Sequence, residues 1–86
     1  GLLGMAFKPE CDDIRSSLSY KLKKTLSLYT HKILTTDPFV TVDPTLSPLE
    51  YVIERSDILI LCAPHQVYRS LDLSHKRVVD VWGIYP

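Results

Sequence analysis

Apolar residues along this chain come in bunches, and each bunch has its own period. Gly1-Leu2-Leu3-Gly4-Met5 is a short apolar run, and Leu2 to Met5 reads as a buried strand. From Ser17 to Tyr29 the spacing becomes helical: Leu18, Leu22 and Leu26 recur at every fourth position, with Tyr29 three beyond. Lys21, Lys23 and Lys24 fall off that stripe, so one face of an amphipathic helix is predicted, with Ser17 as its N-cap. His31 to Thr36 reads as a second strand of mixed character, with Ile33 and Leu34 set among polar neighbours. Asp37-Pro38 stops it, and a polar connection rich in threonine and proline follows.

The second half repeats the alternation. Ser47-Pro48-Leu49-Glu50 reads as a capping box, with serine at the N-cap, proline at the first helical position and glutamate at the third. A short helix should run from there to about Arg55. Asp57-Ile58-Leu59-Ile60-Leu61-Cys62-Ala63 is nearly continuous in apolar residues, as in a strand buried on both faces of a parallel sheet. Pro64 ends it. A short helix is predicted over His65 to Leu71 and a last strand over Arg77 to Val81, which leads into Trp82-Gly83.

Strands alternating with helices imply right-handed βαβ crossovers and an α/β, Rossmann-like, three-layer domain. Strands one and three are the most apolar and should be central, while two and four carry polar residues and should be edges. The predicted sheet is therefore four-stranded, mostly parallel and ordered 2-1-3-4, with a switch point between strands one and three. Ligands of open α/β sheets bind beyond the carboxyl ends of the strands at such a crevice. Two loops border it here, Ala6 to Ser16 and Ala63 to Val67. They present Lys8, Arg15 and His65.

Size and charge narrow the class. Eighty-six residues make one domain with a modest core. A glycine inside an apparent strand at position 1 suggests a piece cut from a longer protein. Ten basic and ten acidic side chains balance, so no long-range field favours nucleic acid or an anionic membrane. No apolar run is long enough to span a bilayer. Cys11 and Cys62 lack metal-ligand spacing and could pair or stand free. Two free thiols in a reducing cytoplasm is the reading adopted.

The opening loop carries the most specific signal. Gly1-Leu2-Leu3-Gly4 lacks the G-x-G-x-x-G spacing of dinucleotide sites. Phe7-Lys8-Pro9-Glu10-Cys11-Asp12-Asp13-Ile14-Arg15, with Ser17 close behind, instead resembles the F-K-x-x-x-D-D-x-R-x-S segment of the UDP-glucose/GDP-mannose dehydrogenase family, at the start of its C-terminal nucleotide-sugar-binding domain. Asp37-Pro38-Phe39-Val40 resembles that family's D-P-x-V, Ser56-Asp57 with the apolar run behind it resembles its third strand, His65 falls where histidine is frequent, and Val78-Val79-Asp80 resembles its last strand.

The resemblance implies that the parent is an NAD-dependent enzyme oxidising the primary alcohol of a nucleotide sugar to a carboxylate. It implies partners within that parent, an N-terminal NAD-binding domain and a central helical, dimer-forming segment. The catalytic cysteine and the NAD fingerprint belong to the upstream part, so this piece should hold a UDP-sugar and neither a catalytic residue nor a metal. UDP is favoured over GDP on Phe7-Lys8-Pro9 with its following acidic residue. Two departures stand out. Ser16 and Leu18 replace a frequent glutamate and proline, and Trp82 follows Asp80 where many relatives carry a basic residue.

The expected substrate contacts are therefore Phe7, Lys8, Arg15, His65 and Trp82, each beside a plainer role. Phe7 and Trp82 could pack, Lys8 could be a solvated loop lysine, Arg15 could pair with Asp12 or Asp13, and His65 could be a hydrogen-bonded core residue. Asp12 and Asp13 suit a helix start. Asp37 sits where dinucleotide folds hold a ribose, yet Asp-Pro more simply ends a strand. A generic nucleotide-binding module and a non-catalytic structural relative are the alternatives.

Overall fold

The computed structural model describes residues 1–15 and 17–83. Ser16, one of the two departures around the first helix start, lies outside the described residues. Four strands, β1 (Leu2–Leu3), β2 (Thr35–Thr36), β3 (Ile58–Leu61) and β4 (Arg77–Asp80), form one sheet in the order β2-β1-β3-β4. Every pairing is parallel, with Leu2 opposite both Thr35 and Ile60, and Ile58 to Leu61 opposite Arg77 to Asp80. The chain leaves β1 toward β2 and returns on its other side as β3. That reversal is the switch point the strand composition predicts.

Register decides the faces, because paired residues of a parallel sheet point the same way and successive residues alternate. Leu3, Leu59, Leu61 and Val78 share one face. There Leu3, Leu59 and Leu61 are closed off by Val52, Tyr68 and Leu73, with Leu34, Leu49, Ile53 and Leu71 around them. Each fully buried leucine contributes about 1.5–3 kcal/mol relative to an exposed one. Val52 and Ile53 belong to helix α2 (Leu49–Arg55), and Tyr68 to a short 3-10 helix over Gln66–Ser70. The opposite face carries Leu2, Ile58, Ile60 and Val79. Helix α1 (Leu18–Leu26) lies on that side, where its Leu26 shares a hollow with Leu2, Ile58 and Ile60.

Coverage of this second face is incomplete, which corrects the expectation that strand three is buried on both sides. Ile58 and Val79 are about half exposed, at 47% and 50%. Nine helical residues are too few to roof four strands. The leucine stripe of α1 is also less buried than its spacing suggests: Leu22 and Leu26 are half-buried, but Leu18 and Tyr29 are 72% and 82% exposed. The helix stops at Leu26 because its last turn tightens. Leu28 and Tyr29 donate to carbonyls three residues back, and the Ser27 hydroxyl donates to the Lys24 carbonyl at 2.6 Å.

Local signals fared unevenly at the other helix ends. Ser17 caps α1 as expected, its Oγ accepting from the Ser19 amide at 3.2 Å. The capping box at Ser47 does not form. Pro48 is the N-cap residue of α2 and no side chain caps it. The Ser47 amide instead donates to the Thr35 carbonyl at 2.8 Å, so that residue is committed to the edge of β2. The second strand is shorter than His31 to Thr36, although the Leu2 amide still donates to the Leu34 carbonyl at 2.8 Å. Among the described residues no helix is long and apolar enough to cross a membrane, and no cluster of possible metal ligands occurs. Cys11 and Cys62 are both free.

Candidate functional site

The site grows from the point where β1 and β3 end side by side. Gly4 follows β1 with φ +98°, and a Cβ there would lie 2.6 Å from the Ala63 Cβ and 2.7 Å from the Ala63 nitrogen. Only glycine allows the two loop starts to touch this closely. The Cys62 amide donates to the Leu3 carbonyl at 2.8 Å, which keeps the strand ends level.

Beside this contact, Asp37 leaves β2 and turns its carboxylate under both loops. Oδ2 accepts from the amides of Met5 (2.7 Å) and Ala6 (2.9 Å), and Oδ1 from those of Phe39 (2.7 Å) and Val40 (3.2 Å). The His65 Nε2 lies 2.8 Å from Oδ2, and both side chains are fully buried. Burial alone would push the Asp37 carboxyl up. Hydrogen bonds from His65 and from the Phe39, Met5 and Ala6 amides outweigh burial and hold it below the ordinary aspartate value. On the far side of the ring, Nδ1 accepts from the Glu10 amide at 2.9 Å.

The first loop itself is exposed from Phe7 to Glu10. The Phe7 amide donates to the Asp13 carbonyl at 2.6 Å, closing the loop across its neck. Arg15 holds Asp13 in a forked pair, with Nη2 2.9 Å from Oδ2 and Nε 3.1 Å from Oδ1. The hydrogen bonds from Arg15 depress the Asp13 carboxyl to about 2. The Ser17 hydroxyl then donates to the Met5 carbonyl at 2.9 Å, fastening the start of α1 to the end of β1.

These constraints leave a cleft of about 240 Å³ lined by Ala6, Phe7, Leu18, Ser19, Cys62 and Trp82. Phe7 and Trp82, both about half exposed, form apolar walls with Leu18. The Trp82 indole N–H donates to the Cys62 carbonyl at 2.9 Å, so the end of β4 is tied to the end of β3 and the ring is fixed in place. Cys62 lies deeper, and burial pushes its thiol up to about 11, well away from a reactive thiolate. The first residues of α1 line the same cleft, so the positive end of its dipole favours an anion there. A larger hollow of about 370 Å³ lies at the opposite end of the strands, among Gly1, Lys32, Ile33, Leu34, Arg55 and Asp57. It is remote from the switch point and from the opening motif.

The five expected contact residues thus separate. Phe7 and Trp82 both line the cleft. Lys8 is exposed on the loop next to Phe7, while Arg15 is exposed but committed to Asp13. His65 is not a surface contact. Its ring is wholly buried and both nitrogens are engaged, so it has no donor or acceptor left for a ligand. Leu18, Ser19 and Cys62 line the cleft without having been singled out. Leu18 was legible as the residue directly after the Ser17 cap; Ser19 and Cys62 carried no signal. Asp37 emerges as the organiser of both loops, a role its place after strand two, next to the switch point, could have suggested.

Comparison with known proteins follows this geometry. The family model of the UDP-glucose/GDP-mannose dehydrogenase family, UDP binding domain, matches residues 1–86. An NDP-N-acetyl-D-galactosaminuronic acid dehydrogenase of Ralstonia nicotianae is 29% identical over 95% of this chain. A UDP-N-acetyl-D-mannosamine dehydrogenase of Pyrococcus horikoshii is 28% identical over 92%. The chain spans only 22% and 20% of the length of these relatives. Among solved structures, a UDP-D-ManNAc dehydrogenase from Pyrococcus horikoshii superposes with a TM-score of 0.74 at 30% identity, over 83% of this chain and 16% of the other. A UDP-N-acetyl-mannosamine dehydrogenase from S. aureus shares the fold at a TM-score of 0.83 and 20% identity, over 98% of this chain and 22% of the other.

Proposed function

The chain belongs to the UDP-glucose/GDP-mannose dehydrogenase family as its UDP binding domain, and from that premise we propose that its cleft receives the nucleotide end of a UDP-sugar. The observation that carries this reading is that Phe7 and Trp82 both line the switch-point cleft at the N-terminal end of α1. Two aromatic side chains in the lining suit a planar base or the flat face of a sugar. The α1 dipole and the neighbouring Lys8 suit a diphosphate. Lys8 is a flexible point charge that helps lower the Asp13 carboxyl but, unlike Arg15, makes no ion pair with a carboxylate among the described residues. Trp82 supplies an apolar surface at the end of β4, and Lys8 is the cation assigned to the phosphates.

A volume of about 240 Å³ lies below the ~300–1,000 Å³ of ordinary small-molecule pockets. It suits part of a nucleotide sugar, and the remainder would be enclosed by other domains of a longer parent. We assign to that parent the NAD-dependent oxidation of the sugar's primary alcohol to a uronic acid. The present chain contributes binding and orientation to it, and the chemistry comes from the upstream domains.

The residues here do not fit NAD. Asp37, which stands where dinucleotide folds hold a ribose, has both carboxylate oxygens filled by Met5, Ala6, Phe39, Val40 and His65. The space above Gly4 is filled by Ala63. We assign NAD to the parent's N-terminal domain.

Calorimetric titration with UDP, UMP and GDP tests the reading. Saturable binding that prefers uridine nucleotides, and that weakens with Lys8→Ala for UDP more than for UMP, is the expected result. Equal affinity for UDP and GDP, unchanged by Lys8→Ala, would count against it.

A further inference from the structure

The segment carrying Phe7 and Lys8 has almost no core of its own, since Phe7, Lys8, Pro9 and Glu10 are all exposed. What fixes it over the cleft is therefore a matter of individual bonds. Its neck is closed by Phe7 and Asp13, and its start by Asp37. Its far end is held at Glu10 alone. The Glu10 amide donates to His65 Nδ1 at 2.9 Å, and the Glu10 carboxylate accepts from the Gln66 amide at 3.2 Å. Glu10 pays for this grip with φ 54°, a left-handed conformation that costs a non-glycine residue free energy and would relax if the bonds were removed.

The ring of His65 is built into place from every side. Phe39 and Tyr68 flank it, with ring centroids 4.9 and 5.6 Å away. Asp37 can only accept a hydrogen bond, and the Glu10 amide can only donate one. Glu10 Oε2 also lies 3.3 Å from Nδ1, but the nearer Glu10 N–H, at 2.9 Å, is aimed at that nitrogen, so the arrangement assigns the proton to Nε2 and an acceptor role to Nδ1. We propose that His65 is a positioning residue for nucleotide binding. Through this single tautomer it couples Asp37, at the end of β2, to Glu10 in the opening loop, and so sets where Phe7 and Lys8 stand over the cleft. The coupling to affinity rests on the UDP reading; the mechanical coupling does not.

Two substitutions divide the bridge. His65→Asn places an amide oxygen near the position of Nδ1, keeping an acceptor for Glu10 while losing the reach to Asp37. His65→Gln places an amide nitrogen near the position of Nε2, keeping the donor to Asp37 while losing the acceptor for Glu10. Amide hydrogen exchange is followed at Glu10, Met5, Ala6 and Leu61 in each variant, alongside UDP titration. The expected result for His65→Gln is roughly fivefold or more faster exchange at Glu10 relative to Leu61. UDP affinity should fall by a comparable factor in that variant, and His65→Asn, which keeps an acceptor for Glu10 but cuts the link to Asp37, should lose part of both Glu10 protection and affinity.

Wild-type Glu10 protection and affinity in His65→Asn, or exchange that merely follows Leu61, would overturn the proposal. So would full UDP affinity in His65→Gln. A wild-type chain that binds no UDP would sink the nucleotide reading, while the exchange pattern at Glu10 would still decide the mechanical claim. The nitrogen-15 resonances of His65 in the wild type provide a check that needs no variant. A protonated Nε2 and a bare Nδ1 are predicted, and the opposite tautomer would refute the bridge.

Discussion

Asp37→Asn is the substitution that puts most strain on this account of the site. The aspartate's two oxygens receive five donors, three on Oδ2 and two on Oδ1. Asparagine keeps one oxygen and turns the other into a donor. With its oxygen toward Met5, Ala6 and His65, its amide group faces the Phe39 and Val40 amides. In the other orientation it confronts the Met5 and Ala6 amides and the histidine N–H. Two donors at least are stranded in a buried place, at about 1–3 kcal/mol each. The expected loss is therefore about 2–6 kcal/mol, a large share of the ~4–13 kcal/mol available to a domain of this size.

Urea unfolding followed by circular dichroism would measure it, with exposed Asp12→Asn as a control expected within about 0.5 kcal/mol of wild type. The acid limb adds a second constraint. Because the folded carboxyl is held below its ordinary value of 3.8, its stabilisation is complete above that value and is lost as pH falls through the lower folded value. The gap between wild type and variant should be flat near neutrality and narrow only below about pH 4. A loss under about 1 kcal/mol, or a gap that does not narrow in acid, would refute the reasoning.

Other perturbations probe separate parts of the structure. Gly4→Ala forces a side chain into φ +98° and against Ala63, and should cost more than about 2 kcal/mol by the same unfolding assay. Tyr68→Phe removes a buried hydroxyl that has no hydrogen-bond partner among the described residues, and should leave stability unchanged or raise it by about 1 kcal/mol in thermal melts. Arg15→Ala should return the Asp13 carboxyl from about 2 toward the ordinary range in an NMR titration, while the domain melts as before because the pair is solvent-exposed.

The parts of this fold that were legible in the sequence are those set by burial along a strand. Leu2-Leu3 and Ile58 to Leu61 are apolar enough to demand central places, which gave the sheet order and the switch point. The switch point in turn marked the end of the sheet where Phe7 and Trp82 line a common cleft. Ser17 was legible as a cap because its action is local.

Ser47 looked equally good and did not cap, since the helix begins one residue later with Pro48 at the N-cap while Ser47 is held to Thr35 by its amide, a partner that local pattern cannot reveal. The leucine stripe of α1 shows period but not how much surface lies beneath it, so the exposure of Leu18 was invisible. Asp37 and His65 were each readable as the end of a strand and the start of a loop. Their bond spans 28 residues, and the bond from Asp37 to Met5 spans 32. It exists only once the sheet has brought three strand ends together.

The central claim is that uridine nucleotides bind between Phe7 and Trp82, at the end of α1. Its most direct test is to follow the backbone amide resonances of the chain during a UDP titration. The account predicts that the largest shifts fall on Ala6, Phe7, Lys8, Leu18, Ser19 and Trp82, with the Trp82 indole N–H moving alongside them. Shifts concentrated instead at Lys32, Ile33, Arg55 and Asp57, around the hollow at the other end of the strands, would contradict it.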